Sequence, residues 1–154
     1  MIQDEAMQNA IKEAYDGIQC GDGGPFGSVV VKDGKIVGRG HNRVIKNQDP
    51  TCHGEMEAIR DACRNLGTFD LSGCELYTTS EPCPMCIGAI LWANISRVYQ
   101  GCNIHDAESI GFRDKRFYDY LSGKEELLSV MELGRAECLK LFEAYKNRED
   151  KKEY

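Results

Sequence analysis

The sequence lacks any long hydrophobic run and any basic segment followed by an apolar stretch. No apolar run approaches the roughly 18 residues that a membrane-spanning helix needs, and residues 1–5 do not begin a secretory signal. These absences exclude a membrane partner, and we expect a cytoplasmic protein. Internal repeats, low-complexity stretches and linkers are lacking as well, so residues 1–154 are predicted to form one domain.

Basic side chains are outnumbered by acidic ones. The chain carries 19 lysines and arginines against 25 aspartates and glutamates, for a formal net charge of -6. Such a surface repels phosphate backbones on average, so a nucleic-acid partner is disfavoured. Cysteine, in contrast, is plentiful, with 8 residues. Because the cytosol keeps thiols reduced, we interpret them as buried apolar residues, metal ligands or reactive thiols.

The hydrophobic pattern predicts an α/β fold. A helix over 4–18 is followed by a β-hairpin, with strands 26–32 and 35–40 joined by Asp33-Gly34. After a loop at 47–50, the pattern predicts a helix from His53 to Gly67, a strand at 75–79, an apolar helix at 84–93 and a strand at 97–102. This alternation predicts a three-layer α/β/α sandwich around a mixed sheet. Beyond residue 102 only a helix at 135–147 and a charged segment at 148–153 are predicted.

Two short motifs together indicate a metal centre. His53-Gly54-Glu55 is followed, after residues 56–81, by Pro82-Cys83-Pro84-Met85-Cys86, which is the H-x-E and P-C-x-x-C pattern of zinc-dependent nucleobase deaminases. Cys83 and Cys86 are spaced to bind one ion from the first turn of a helix, where the helix dipole favours thiolates. His53 supplies a nitrogen as the third ligand. The fourth tetrahedral position is left for water or hydroxide, since zinc lowers the pKa of bound water to about 7.

Glu55 is predicted to be the catalytic proton carrier. At the mouth of its helix it can reach the same space as His53, take a proton from the bound water, and deliver protons to the ring nitrogen and the departing amine. Its alternative role is a surface charge that stabilises the first helical turn.

Other interpretations of the cysteines remain open. Cys52 or Cys102 as a fourth ligand would close the coordination sphere and give a non-catalytic, zinc-stabilised module. A C-x-x-C pair with redox activity is the second alternative, although it would not explain His53 and Glu55.

With these motifs the chain resembles the cytidine-deaminase-like superfamily, and most closely its bacterial guanine deaminases. The resemblance covers most of the chain and rests also on Gly24-Pro25-Phe26-Gly27, Gly40-His41-Asn42, Leu91-Trp92-Ala93 and Gly111-Phe112-Arg113-Asp114. It implies a sheet of about five strands. It also implies hydrolysis of guanine to xanthine and ammonia in purine metabolism, by a homodimer with one Zn²⁺ per subunit. Cytosine, guanosine and tRNA-adenosine deaminases of the same fold are the alternatives, because pocket details alone change the substrate.

The resemblance also implies the contacts to a purine base. Phe26 and Trp92 would sandwich the ring, Asn42 would bond the base through its amide, and Asp114 would accept hydrogen bonds from the guanine edge. Gly54, which stands where the superfamily usually has alanine, would offer its backbone N–H. Plainer roles are core packing for the two aromatic residues, a turn for Asn42 and an exposed charge for Asp114.

The C-terminal segment, 134–154, is expected to form a helix and a tail that covers an active site. A terminal tyrosine such as Tyr154 is ordinarily frayed. The resemblance implies instead that Tyr154 helps to hold the base, in a pocket that belongs to a partner subunit.

Overall fold

Helices lie on both sides of a four-stranded mixed sheet in the computed structural model, which describes residues 3–154. The elements are α1 (Gln3–Cys20), β1 (Gly27–Lys32), β2 (Lys35–His41), α2 (Val44–Asn47), α3 (Gly54–Leu66), β3 (Cys74–Ser80), α4 (Pro84–Trp92), β4 (Arg97–Cys102), α5 (Ile104–Ser109), α6 (Asp114–Leu121) and α7 (Arg135–Lys146). The strand order is β2-β1-β3-β4, with β1 antiparallel to both neighbours and β3 parallel to β4.

The centre of strand β1, Val29–Val31, is apolar because both faces of the sheet are covered there. Its alternate side chains point to opposite faces. Val29 and Val31 pack against α1, whereas Val30 joins a second apolar cluster with α3 and α4. The predicted three-layer sandwich is therefore confirmed.

The predicted hairpin turn is confirmed by its backbone. Asp33 and Gly34 both have positive φ, at 50° and 75°, as the two-residue turn of a twisted hairpin requires. Gly27, at the start of β1, allows α1 to approach the sheet, since a Cβ there would lie 2.2 Å from the carbonyl oxygen of Ala10.

The predicted strand number is wrong for this chain, as residues 3–154 contain four strands rather than five. After β4 the chain forms α5 and α6, and β4 stays at the edge of the sheet. Residues 124–134 form neither helix nor strand, although several are apolar. The loop predicted at 47–50 also begins later than expected, since residues 44–47 form α2.

The helix predicted at 135–147 is confirmed as α7, but it does not pack into the sandwich. Residues 126–154 are all exposed, and Leu133 is 92% exposed. No helix within the described residues is long and apolar enough to span a membrane.

Candidate active site

Three potential metal ligands meet where two helices begin. His53 is the N-cap of α3 and Cys83 is the N-cap of α4, with Pro84 as the first residue of α4 and Cys86 in its first turn. The distance from His53 Nδ1 is 3.4 Å to Cys83 Sγ and 3.6 Å to Cys86 Sγ. The two sulfurs are buried, so the cluster lies under the protein surface.

This geometry fits a zinc ion. Bonds of about 2.3 Å to sulfur and about 2.0 Å to nitrogen, at tetrahedral angles, separate those ligand atoms by roughly 3.6 Å. Within residues 3–154, no fourth His, Cys, Asp or Glu joins the cluster. Cys52 is engaged elsewhere, with Asn47 and Arg60 donating to its sulfur, and Cys102 is exposed. The arrangement thus provides three protein ligands.

The cluster favours a thiolate. Hydrogen bonds from Cys86 and from His53 lower the pKa of Cys83 to about 4. The pKa of Cys86 is raised because its S–H group donates a hydrogen bond to Cys83 and because the side chain is buried. The pKa of His53 is raised by its hydrogen bond with Cys83. The cluster therefore favours the deprotonated form of Cys83, and metal binding displaces the protons of its ligands.

Glu55 is buried beside the cluster and is not a surface charge. It is only 5% exposed. The hydroxyl of Thr78 donates to Glu55 Oε1 at 2.5 Å, and Ser28 Oγ donates in turn to Thr78 at 2.9 Å. Both hydroxyl residues are fully buried. A carboxylate held in this way has a fixed orientation, as acid–base catalysis requires.

We expect Thr78→Val to lower kcat about 10- to 100-fold with little change in KM, because valine keeps the volume but releases the Glu55 carboxylate. Thr78→Ser keeps the hydroxyl and should retain most of the activity. Steady-state kinetics of both variants, with thermal melting in parallel, test this expectation. A lower melting temperature with unchanged kcat would mean that the bond serves stability alone.

A pocket of about 400 Å³ opens in front of the ligands. Its walls combine polar groups with aromatic side chains: Gly24, Phe26, Asn42, Val44, Ile45, Pro50, His53, Glu55, Ser80, Glu81, Cys83, Phe112, Arg113, Asp114 and Phe117. Phe26 contacts Phe112 edge-to-face, with ring centroids 4.7 Å apart. This size and lining suit a small planar ligand.

The structure brings Phe26, Asn42 and Asp114 to this pocket, as the sequence indicated. Asn42 is also a turn residue, since its Oδ1 accepts a hydrogen bond from the N–H of Val44. Gly23 makes this position possible, because a Cβ there would lie 2.1 Å from Asn42 Oδ1. Asp114 begins α6 half-buried, and burial together with the nearby Cys83 raises its pKa.

Three other residues of the expected substrate set are not among those that line the pocket. Gly54 is the buried first residue of α3, and a Cβ there would lie 3.2 Å from the carbonyl oxygen of Phe26. Trp92, at the end of α4, is 65% exposed, and Tyr154 is 79% exposed. Their rings contact each other with centroids 5.8 Å apart. Neither aromatic residue lines the pocket of its own chain.

The sequence analysis assigned no role to several residues of the site. Five of them line the pocket, namely Ser80, Glu81, Phe112, Arg113 and Phe117, and two lie buried behind Glu55, namely Ser28 and Thr78. The alternation of polar residues at the end of β3 was a usable signal, because Thr78 and Ser80 share one face of a strand that leads into the P-C-x-x-C motif. The signal for Phe112 was its position two residues before Asp114, which was itself a candidate site residue.

The sandwich and the His-Cys-Cys cluster together define a zinc-binding deaminase domain. Residues 1–102 match the model of the cytidine and deoxycytidylate deaminase zinc-binding region, and the chain belongs to that family. Beyond the family, the chain is 41% identical over 156 residues to the guanine deaminase of Bacillus subtilis, with 100% of both sequences covered. The crystal structure of a Bacillus subtilis guanine deaminase has a TM-score of 0.94 to this chain, with 100% and 99% of the two chains covered.

Two further relatives are less similar to this chain. The tRNA-specific adenosine deaminase of Aquifex aeolicus is 39% identical over 135 residues, with 80% of this chain and 89% of the relative covered. A solved structure of a variant protein in complex with 8-azaguanine is 31% identical, with a TM-score of 0.67 and coverage of 90% of this chain and 81% of that chain.

Proposed function

We propose that this chain is a zinc-dependent guanine deaminase that hydrolyses guanine to xanthine and ammonia as a cytoplasmic enzyme of purine metabolism. The observation that carries this proposal is one pocket that combines His53, Cys83 and Glu55 with Phe26, Asn42 and Asp114. The full-length similarity to a guanine deaminase supports guanine over other bases.

In this proposal His53, Cys83 and Cys86 would hold one Zn²⁺ per chain and would leave a fourth position for water. The bound ion supplies Lewis-acid activation of that water. Glu55 accepts a proton from the water and returns protons to the ring nitrogen and to the exocyclic amine. The water oxygen becomes bonded to the ring carbon, the carbon–nitrogen bond breaks, and ammonia leaves.

Four further residues, Phe26, Asn42, Gly54 and Asp114, orient the base in this proposal. Phe26 supplies an aromatic face, and the amide of Asn42 donates from Nδ2 while its oxygen is engaged by Val44. The carboxylate of Asp114 accepts N–H bonds from the guanine edge. Gly54 offers its backbone N–H at the start of α3. Such polar groups at fixed positions distinguish one base from another.

We further propose that the chain acts as a homodimer in which the tail covers the pocket of the partner. The exposed apolar residues around Leu133, the edge position of β4 and the exposed α7 support this arrangement. An extended segment beside an edge strand of a second copy would supply the fifth strand. Trp92 and Tyr154, which contact each other outside their own pocket, would then reach the base in the partner's pocket.

Ammonia release by the zinc-loaded protein tests the substrate. We expect turnover with guanine, and none of comparable rate with guanosine, cytosine, adenine or a tRNA anticodon stem-loop. Faster turnover of the stem-loop would reassign the chain to the tRNA-adenosine deaminases. Faster turnover of cytosine or of guanosine would reassign it to the cytosine deaminases or to the guanosine deaminases. Zinc binding without turnover of any substrate would favour a structural zinc module.

A further inference from the structure

Ser80 carries a buried hydroxyl without a hydrogen-bond partner. Among the described residues, its Oγ is the one buried side-chain nitrogen or oxygen atom that lacks a partner. Ser80 is the last residue of β3, is 6% exposed and lines the pocket. Because nearly all buried polar groups in proteins are paired, an unpaired hydroxyl in a pocket wall suggests that its partner is a ligand.

The position of Ser80 places this hydroxyl at the reacting end of the pocket. Two residues earlier on the same strand face, Thr78 donates to Glu55. Three residues later, Cys83 is one of the three clustered metal ligands. The carbon atom that reacts must approach both the metal site and Glu55, so its substituent lies near Ser80.

The hydroxyl is chemically suited to the amino group that leaves. A serine oxygen has two lone pairs, and an aromatic amine offers N–H donors but is a poor acceptor. Asn42 and Asp114 come from the β2–α2 connection and from the start of α6, so they are separate in the chain from this strand end. No other polar side chain of β3 in the pocket is unpaired within the described residues.

We infer that Ser80 Oγ accepts a hydrogen bond from the exocyclic amino group of the bound purine and thereby selects bases that carry an amine at the reacting carbon. This inference rests on the proposed guanine deaminase function. It makes Ser80 a substrate contact that recognises the leaving group, distinct from residues that bind the rest of the ring.

The test compares two ligands that differ only in the amino group. Calorimetry would measure the affinity of zinc-loaded Glu55→Gln protein, which does not turn the ligands over, for 8-azaguanine and for 8-azahypoxanthine. We expect the double variant, Glu55→Gln with Ser80→Ala, to bind 8-azaguanine about 10-fold more weakly than Glu55→Gln alone. The affinity for 8-azahypoxanthine, which has no amino group at that carbon, should stay unchanged.

Thermal melting of the ligand-free protein separates a binding role from a structural one. Ser80→Ala removes an unpaired buried hydroxyl, so the melting temperature should stay the same or rise. Thr79→Ala is the matched control. Its hydroxyl accepts a hydrogen bond from Gly27 N–H on the neighbouring strand and does not line this pocket. The control should lower the melting temperature and leave the ratio of the two affinities unchanged.

Equal weakening of both ligands, or of neither, would overturn the inference while leaving the proposed function intact. If the parent protein binds neither analogue and does not deaminate guanine, the proposed function fails and the inference fails with it.

Discussion

The Glu55→Gln variant is expected to lose about 10⁴-fold in kcat for guanine, at the upper end of what one acid–base group contributes. Glutamine has nearly the same shape and can still accept the hydrogen bond from Thr78, but it cannot carry a proton. In the proposed mechanism Glu55 serves both the attacking water and the departing amine, so its loss would affect every proton transfer of the reaction. Rates of xanthine formation and the zinc content of the purified variant provide the measurement.

A second glutamate of the same helix gives the control. Glu57 lies two residues further along α3 and pairs with Arg43 and Arg60 rather than lining the pocket. We expect Glu57→Gln to keep kcat within a few-fold of the parent, with a lower melting temperature where these ion pairs contribute. If Glu55→Gln retained more than a tenth of the parent kcat, Glu55 would not be the proton carrier. If the variant instead lost its zinc, the carboxylate would act on the metal site and not on the protons.

The two halves of the potential metal site could be predicted from the sequence because each half is local. His53 and Glu55 are two residues apart at one helix start, and Cys83 and Cys86 share the first turn of another. The helix starts themselves carried recognisable signals, such as Pro84 at the first helical position.

The hydroxyl chain behind Glu55 could not be predicted in the same way. Ser28 and Thr78 are 50 residues apart and meet because β1 and β3 pair with Ser28 opposite Thr78. A shift of one residue in that register would turn Thr78 to the other face of the sheet. Sequence patterns define which residues form strands, but a register between distant strands depends on packing that the pattern does not specify.

The secondary structure of the C-terminal third was hard to predict for a different reason. The capping box at Asn103 and Asp106 is readable in retrospect, but α5 has six residues and little periodicity. Residues 127–133 contain enough apolar side chains for a strand, and yet the chain offers them no neighbour. In the proposed dimer this segment would pair with the edge strand β4 of a second copy.

Hybrid dimers can decide whether the tail crosses between subunits. We expect deletion of residues 148–154 to lower kcat/KM for guanine about 100-fold, the size of effect that loss of a central aromatic anchor produces. Glu55→Gln should inactivate the other parent dimer. Co-expression of the two chains with different affinity tags, followed by two purification steps, yields the hybrid. Each parent dimer, purified in the same way, gives the background activity.

In a hybrid with crossed tails, the truncated chain keeps Glu55 and receives the intact tail of the Glu55→Gln chain. One complete site therefore forms per dimer, and we expect about half of the parent activity to return. If each tail covered its own pocket, one site would lack Glu55 and the other would lack Tyr154, so the hybrid would be as inactive as its parents. That result would overturn the crossed arrangement while leaving the chemistry at Glu55 untouched. Elution of the untruncated chain as a monomer on size-exclusion chromatography would overturn the homodimer. Residues 126–154 would then stay exposed in solution, as they are in the single chain.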